Sequence, residues 1–151
     1  MSRWVLRPAE RSDVEVITKL CIETAPFEGT GEPGEAEFYN ELFSESLGNE
    51  ESLLLVAESY SEIAGFACAV IEHTSDDCAP APYASLDMVG VRQSYRGQGI
   101  ARALMEKAQS WAKERGMKVI QLAVGESHTP AIKLYESLGY KTVMRKMQRK
   151  L

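Results

Sequence analysis

The stretch Val91-Arg92-Gln93-Ser94-Tyr95-Arg96-Gly97-Gln98-Gly99-Ile100-Ala101 has the residue types and spacing best suited to binding chemistry. A strand-like run ends, a glycine-containing turn follows, and an amphipathic helical pattern begins. Such a turn aims several backbone N–H groups at one point. The helix N-terminus adds partial positive charge there, so the point favours a phosphate. Gly97 and Gly99 have no Cβ and let a ligand come close to the backbone. Ala101 is small for the same reason, and Arg96 adds a charged donor. The spacing excludes two better-known phosphate loops. There is no G-x-x-x-x-G-K-[ST], and G-x-G-x-x-G fails because Arg102 stands at its last position. Taken alone, the turn leaves a purely steric use of its glycines equally open.

A second chemical feature is Asp87, a carboxylate inside the apolar run Tyr83 to Val91. Burial there would raise its pKa toward a range useful for accepting a proton. An Asp on a solvated strand face is the alternative. Glu72 and His73, at the end of the preceding strand, are weaker candidates for the same task. The three cysteines, Cys21, Cys68 and Cys78, form no CxxC and no Cys/His ligand spacing, so no metal site is expected. Cys68 lies in the apolar run Ala67 to Val70 and is expected in the core. Cys78, in a polar loop, is the one thiol with a chance of reactivity. No Cys–His pairing suggests a covalent intermediate.

The elements that must position these residues follow from periodicity and punctuation. Trp4 to Arg7 is a short strand before Pro8. Ser12 and Glu15 match a capping box, and Val16, Ile17, Leu20 and Cys21 continue a helical stripe that Pro26 ends. Glu28 to Gly34 is a loop, and Glu35 to Leu47 resumes helical spacing before Gly48. Leu53 to Ser59 and Ile63 to Glu72 form a hairpin across Tyr60-Ser61-Glu62. A polar loop, His73 to Pro82, leads to the strand Tyr83 to Val91. Ile100 to Arg115 is the strongest helix, with Ile100, Leu104, Ala108 and Trp111 on one face and Gly116 as its cap. Trp111 is expected in the core. Lys118 to Val124 is a strand, Pro130 to Ser137 a helix stopped by Gly139, and Tyr140 to Met147 a last strand. The order β-α-α-β-β-β-α-β-α-β describes one mixed α/β domain over residues 1–151, with helices packed on a sheet.

Composition bounds the rest. The 151 residues are 44% hydrophobic and 26% charged, which suits one domain with a sizeable core, without a metal or disulfide to hold it. The net charge of −5 argues against a nucleic-acid partner, and mildly favours a cationic substrate. No run approaches the roughly 20 apolar residues of a membrane span, and no secretion signal precedes the first strand. Reduced cysteines and no leader make a cytoplasmic location the simple expectation.

Arg96-Gly97-Gln98-Gly99-Ile100-Ala101 resembles the [QR]-x-x-G-x-[GA] pyrophosphate signature of the GNAT superfamily of N-acetyltransferases. Ala131-Ile132-Lys133-Leu134-Tyr135-Glu136-Ser137-Leu138-Gly139-Tyr140 is similar to that family's late motif, a helix carrying a Tyr and followed by Leu-Gly-aromatic. Two motifs in the expected order are far more specific than either alone, and the element order agrees over nearly the whole chain. The resemblance implies a mixed, mostly antiparallel sheet with flanking helices. It also implies acetyl-CoA as cosubstrate, with no metal, and transfer of an acetyl group to a primary amine by direct attack.

Residue by residue, the resemblance implies that Val89 to Val91 edge a splayed strand and offer backbone bonds to the pantetheine arm. Arg96, Gly97, Gln98, Gly99, Ile100 and Ala101 would cradle the pyrophosphate. Tyr135 would face the thioester sulfur and act as general acid to the leaving thiolate, and Asp87 is the first candidate for the base. The family often has Asn three residues before Ala131; this chain has His128 there, which either bonds the pantetheine or forfeits that contact. In this family the first two helices and their loop, here Ala25 to Phe43, wall the acceptor pocket together with the His73–Pro82 loop. Glu28, Glu32, Glu35, Glu37, Asp76 and Asp77 make both segments acidic, which suggests a small cationic amine. A protein or peptide N-terminus or lysine, and a non-catalytic acyl-CoA-binding module, are the alternatives. A homodimer stays open.

Overall fold

The computed structural model describes residues 3–24 and 34–151. Five strands form one sheet in the order β1-β2-β3-β4-β5: β1 (Val5–Pro8), β2 (Ser52–Ser59), β3 (Glu62–Glu72), β4 (Tyr83–Val91) and β5 (Ile120–Gln121). The first four run antiparallel, and β5 joins β4 in parallel. That parallel step requires a crossover, supplied by α3 (Ile100–Glu114). The other helices are α1 (Val14–Thr24), α2 (Glu35–Ser46) and α4 (Thr129–Ser137). None of the described helices is long and apolar enough to cross a membrane.

Both faces of the sheet are covered, and alternation along the strands assigns each side chain to a face. Leu54 and Val56 of β2, with Phe66 and Cys68 of β3, pack against Ile17, Leu20 and Cys21 of α1 and Phe43 of α2. Leu55 and Ala57, with Ala64, Ala67 and Ala69, face Ile100, Leu104, Met105, Ala108 and Trp111 of α3. The run of alanines lets α3 lie close to the sheet. Its own bulk comes from Met105 and Trp111, at 0% and 7% exposure, so Trp111 is core as expected. The β2–β3 hairpin turns at Tyr60 and Ser61, whose φ values of 49° and 67° match the twist that tight hairpins require.

Three expectations need correction. The first helix does not start on a Ser12–Glu15 box. A single 3-10 turn, Arg11–Asp13, precedes α1, and Asp13 accepts the Glu10 N–H at 2.7 Å. Arg7 of β1 holds Asp13 there with two bonds of 2.7 and 3.0 Å, a contact that local spacing cannot reveal. The strand expected over Lys118 to Val124 is paired only at Ile120 and Gln121. The last expected strand, Tyr140 to Met147, does not form. Tyr140 still packs, its ring 6.2 Å from that of Tyr135, but every residue from Lys141 onward is exposed. A two-residue β5 offers too short an edge to template a neighbour.

Candidate active site

β4 is paired to β3 along its whole length, but to β5 only at Ala84↔Ile120 and Ser85↔Gln121. From Leu86 onward its outer edge has no strand beside it among the described residues. The Arg92 N–H donates to Ala64 O at 2.8 Å. Alternate residues back along an antiparallel ladder bond to the same neighbour, so Gly90 and Met88 face β3. Val89 and Val91 therefore aim their N–H and C=O groups outward at the open edge. Their side chains pack under α3. Among the described residues, the polar groups left without a partner on this edge are the Val89 N–H and C=O and the Val91 N–H; Val91 O accepts from Arg96 Nε.

Asp87 has a special place in this strand. The register runs Ala69↔Leu86 and then Cys68↔Met88, so Asp87 is the extra residue of a β-bulge. The bulge reverses side-chain parity. Ala84 and Leu86 lie on the α3 face before it, and Val89 and Val91 lie there after it, while Met88 joins Cys68 on the α1 face. The Ser85 hydroxyl donates to Asp87 Oδ1 at 2.6 Å. Solvent reaches Asp87, yet the protein crowding it desolvates the carboxylate enough to push its pKa above the ordinary range, with the Ser85 bond acting in the opposite direction. Cys68 beside it is pushed up to about 12, first by burial and then by the Asp87 charge. Burial pushes Cys21 up to about 11, so both core thiols stay protonated and inert.

Beyond β4 the chain makes one 3-10 turn, Gln93–Tyr95, and then the Arg96–Ala101 turn. Gly97 and Gly99 have φ of 81° and 83°, a region glycine enters without cost, and a Cβ at either would meet nothing within 4 Å. Gly99 caps α3 without any side-chain bond. The first intrahelical bond runs from Ala103 N to Gly99 O. Among the described residues, the N–H groups of Gly97 to Arg102 donate to no backbone acceptor. The Ile100 side chain is 1% exposed and belongs to the core, so only its N–H is available. The Arg96 guanidinium lies along the turn, its Nε donating to Val91 O at 3.3 Å.

The Tyr135 side of the cleft is built by α4. Pro130 in its first turn is preorganised for the helix. Arg102 of α3 reaches Ser137 Oγ at 2.6 Å and ties the two helices together. Tyr135 is half-buried against the α3-side core and crosses Tyr140 edge-on. Desolvation, then the nearby Tyr140, raises its pKa. Tyr135 lies on the α3 face of the sheet and Asp87, beside Cys68 and Met88, on the α1 face. His128 is the N-cap of α4; its N–H donates to Gly125 O at 3.0 Å, and its side chain makes no capping bond.

Other candidates have structural tasks. Asp76 accepts the N–H groups of Cys78 and Ala79, both at 2.8 Å, and also bonds Tyr83 and Gln121. It organises the loop before β4 and is not free to meet a substrate. His73 is bonded to Glu51 at 2.6 Å, in a hollow with Arg115 and Met117 that excludes the cleft residues. A second hollow, around Arg7, Asp13 and Arg92, also lies apart. Glu28 and Glu32 lie outside the described residues. Spacing alone did not single out Gly90, where a Cβ would come within 2.6 Å of both Phe66 Cε1 and Thr24 Oγ1. The bare backbone lets the end of α1 approach β4.

The fold and this cleft define a class, and comparison with known proteins agrees. The Acetyltransferase (GNAT) family model matches residues 17–140, and the chain belongs to that family. A mycothiol acetyltransferase of Thermobispora bispora is 34% identical over 85 residues, covering 56% of this chain. The match spans 28% of that relative's length. A candidate acetyl transferase from Pyrococcus furiosus superposes with a TM-score of 0.77 at 33% identity, covering 98% of this chain and 99% of the other. The aminoglycoside N-acetyltransferase AAC(6')-Iy, solved with CoA, gives 0.83 at 22% identity over 100% and 96% of the two chains, a likeness of fold.

Proposed function

We propose that the chain is an N-acetyltransferase that passes an acetyl group from acetyl-CoA directly to a small cationic primary amine. The observation that carries this is the open edge of β4. Val89 and the Val91 N–H present unpaired backbone groups there, and one 3-10 turn later the chain enters the glycine turn, where the N–H groups of Gly97 to Arg102 lack backbone acceptors. An extended amide-bearing arm suits the edge and a pyrophosphate suits the turn. The residues present therefore fit CoA: Val89 and Val91 would hold the pantetheine, and Arg96 to Ala101 the phosphates. Bound acetyl-CoA supplies an activated thioester.

The chain supplies the proton handling. Asp87 Oδ2 takes a proton from the ammonium group of the acceptor and leaves a neutral amine with a free lone pair. An outward N–H of the β4 edge polarises the carbonyl as the amine attacks. The C–S bond breaks as the Tyr135 hydroxyl gives its proton to the departing thiolate, and the second proton that the nitrogen sheds on becoming an amide returns to the Tyr135 oxygen, while the proton on Asp87 passes to solvent. A pKa raised on Asp87 favours a base near neutral pH. Tyr135, which stays protonated, serves as the acid.

A cationic acceptor is supported by Glu35 and Glu37 in the first turn of α2 and by the desolvated Asp87 facing α1. The test is release of free thiol from acetyl-CoA with a panel of spermidine, neamine, a lysine-containing peptide and a neutral hydroxylamine. The expected result is highest kcat/KM for spermidine or neamine, falling as salt screens the attraction. The peptide proving best would make the chain a peptide acetyltransferase. CoA binding with no thiol release above background would make it a binding module.

A further inference from the structure

Ser85 stands two residues before Asp87 and is the last β4 residue laddered on both sides, opposite Val70 of β3 and Gln121 of β5. Its own backbone groups face β3, and the Ala84 N–H beside it donates to Val119 O at 2.9 Å, so this part of the strand is held from both edges. Asp87, the unpaired residue of the bulge, has no such restraint of its own. An untethered carboxylate at a bulge samples several rotamers, and only some of them present an oxygen to a substrate. The Ser85 hydroxyl removes that freedom with its 2.6 Å bond to Oδ1. Among the described residues Oδ2 has no hydrogen-bond or ion-pair partner.

We infer that Ser85 is a positioning residue for the acceptor-activating base: it anchors Oδ1 of Asp87 to the doubly paired part of β4 and leaves Oδ2 as the proton-accepting atom. This rests on the reading of Asp87 as base. The bond also stabilises the charged carboxylate and so opposes the desolvation that raises its pKa. The shielded titratable groups on the elements packed against this face are Cys68 of β3, Cys21 of α1, and Tyr39 and Glu35 of α2; Glu15, Lys19 and Glu23 of α1 and Glu37, Glu41 and Glu45 of α2 are exposed. The two thiols and the phenol are all shifted upward and stay neutral through the working pH range, and no cation stands among the shielded groups. Ser85 is thus the neighbour that sets where Asp87 titrates, against the desolvation of its site.

The readout that needs no acceptor is a carbon-13 NMR titration of carboxyl-labelled aspartate in the full chain, with the Asp87 signal assigned by its loss in Asp87→Asn. Ser85→Ala should move the Asp87 midpoint to higher pH. The acid limb of kcat/KM for the best amine of the panel should move with it. Activity at neutral pH should fall about 2–10-fold, the range for losing one hydrogen bond to the base, with CoA affinity unchanged. Ser85→Thr, which keeps the hydroxyl, should restore both; Ser85→Cys, a weaker donor of similar size, should shift both in the same direction as alanine. A folded Ser85→Ala or Ser85→Cys variant with the wild-type midpoint and limb overturns the role of Ser85. If Asp87→Asn instead keeps wild-type turnover, the base assignment itself falls. If Asp87→Asn is inactive and the Ser85 variants leave the limb in place, only the positioning role falls.

Discussion

Replacing Gly99 by Asp places a carboxylate where the α3 N-terminus faces open space. A Cβ there meets nothing within 4 Å, so the side chain has room. The φ of 83° is left-handed, and Asp and Asn are the non-glycine residues that enter this region most readily, at roughly 1–2 kcal/mol. That cost falls on folding and is shared by both residues. The effect on CoA is electrostatic. A phosphate on the N–H groups of Ile100 and Ala101 would lie about 5 Å from the new charge, and Coulomb's law at an effective dielectric of about 20 gives about 3 kcal/mol of repulsion. At 1.4 kcal/mol per decade, that is about 200-fold in Kd. Gly99→Asn is the matched control, with the same shape, the same φ cost and no charge. Calorimetric titration with CoA should therefore show Gly99→Asp binding about 200-fold more weakly than Gly99→Asn, and added salt should narrow the gap. If the two variants bind CoA within about threefold of each other, the phosphate does not sit at this turn.

Tyr135→Phe keeps the ring and its edge contact with Tyr140 but removes the hydroxyl, so turnover should fall about 100-fold while CoA affinity stays put; turnover within twofold of wild type refutes the acid role. The Arg7 bonds hold the Asp13 carboxyl below its usual range, so this pair stabilises the fold above the unfolded Asp pKa of about 3.9 and loses that contribution as pH drops through the lower folded value. Asp13→Asn should thus cost about 2 kcal/mol in urea unfolding at pH 7 and progressively less toward pH 2, and a pH-independent difference would contradict the linkage. Gly90→Ala forces a methyl to within 2.6 Å of Phe66 and Thr24, an overpacking worth about 1–3 kcal/mol. Because α1 must retreat, KM for the amine should rise more than Kd for CoA, and adding Thr24→Ala should recover part of the loss; a stable variant with unchanged kinetics would show that α1 does not border the acceptor.

Much of the fold was legible because its signals are local. β4 and α2 begin where alternation and helical spacing place them, and α3 starts at Ile100 as its apolar face requires. The glycine turn before α3 was legible for the same reason: two glycines before an amphipathic helix constrain their own backbone wherever the chain goes. The candidate acid and base were visible as residue types, with the family resemblance supplying their roles.

What the sequence alone could not decide depends on contacts between distant segments. A bulge exists only relative to a partner strand. That Asp87 is the extra residue, and that its neighbours swap faces across it, follows from the β3 register and from nothing within β4 itself. The capping box passed from Ser12 and Glu15 to Glu10 and Asp13, with a 3-10 turn before α1, because Arg7, on a different element, holds the Asp13 carboxylate. Asp76 looked like substrate-steering charge, yet four donors from its own loop, β4 and β5 occupy it. Apolar residues in Tyr140 to Met147 permit a strand, but hydrogen bonding in a sheet is supplied by a neighbour, and β5 has two laddered residues to offer. Local pattern determines which backbone conformations are cheap. The partner across the sheet decides which of them are bonded, and so which edge remains open for a substrate.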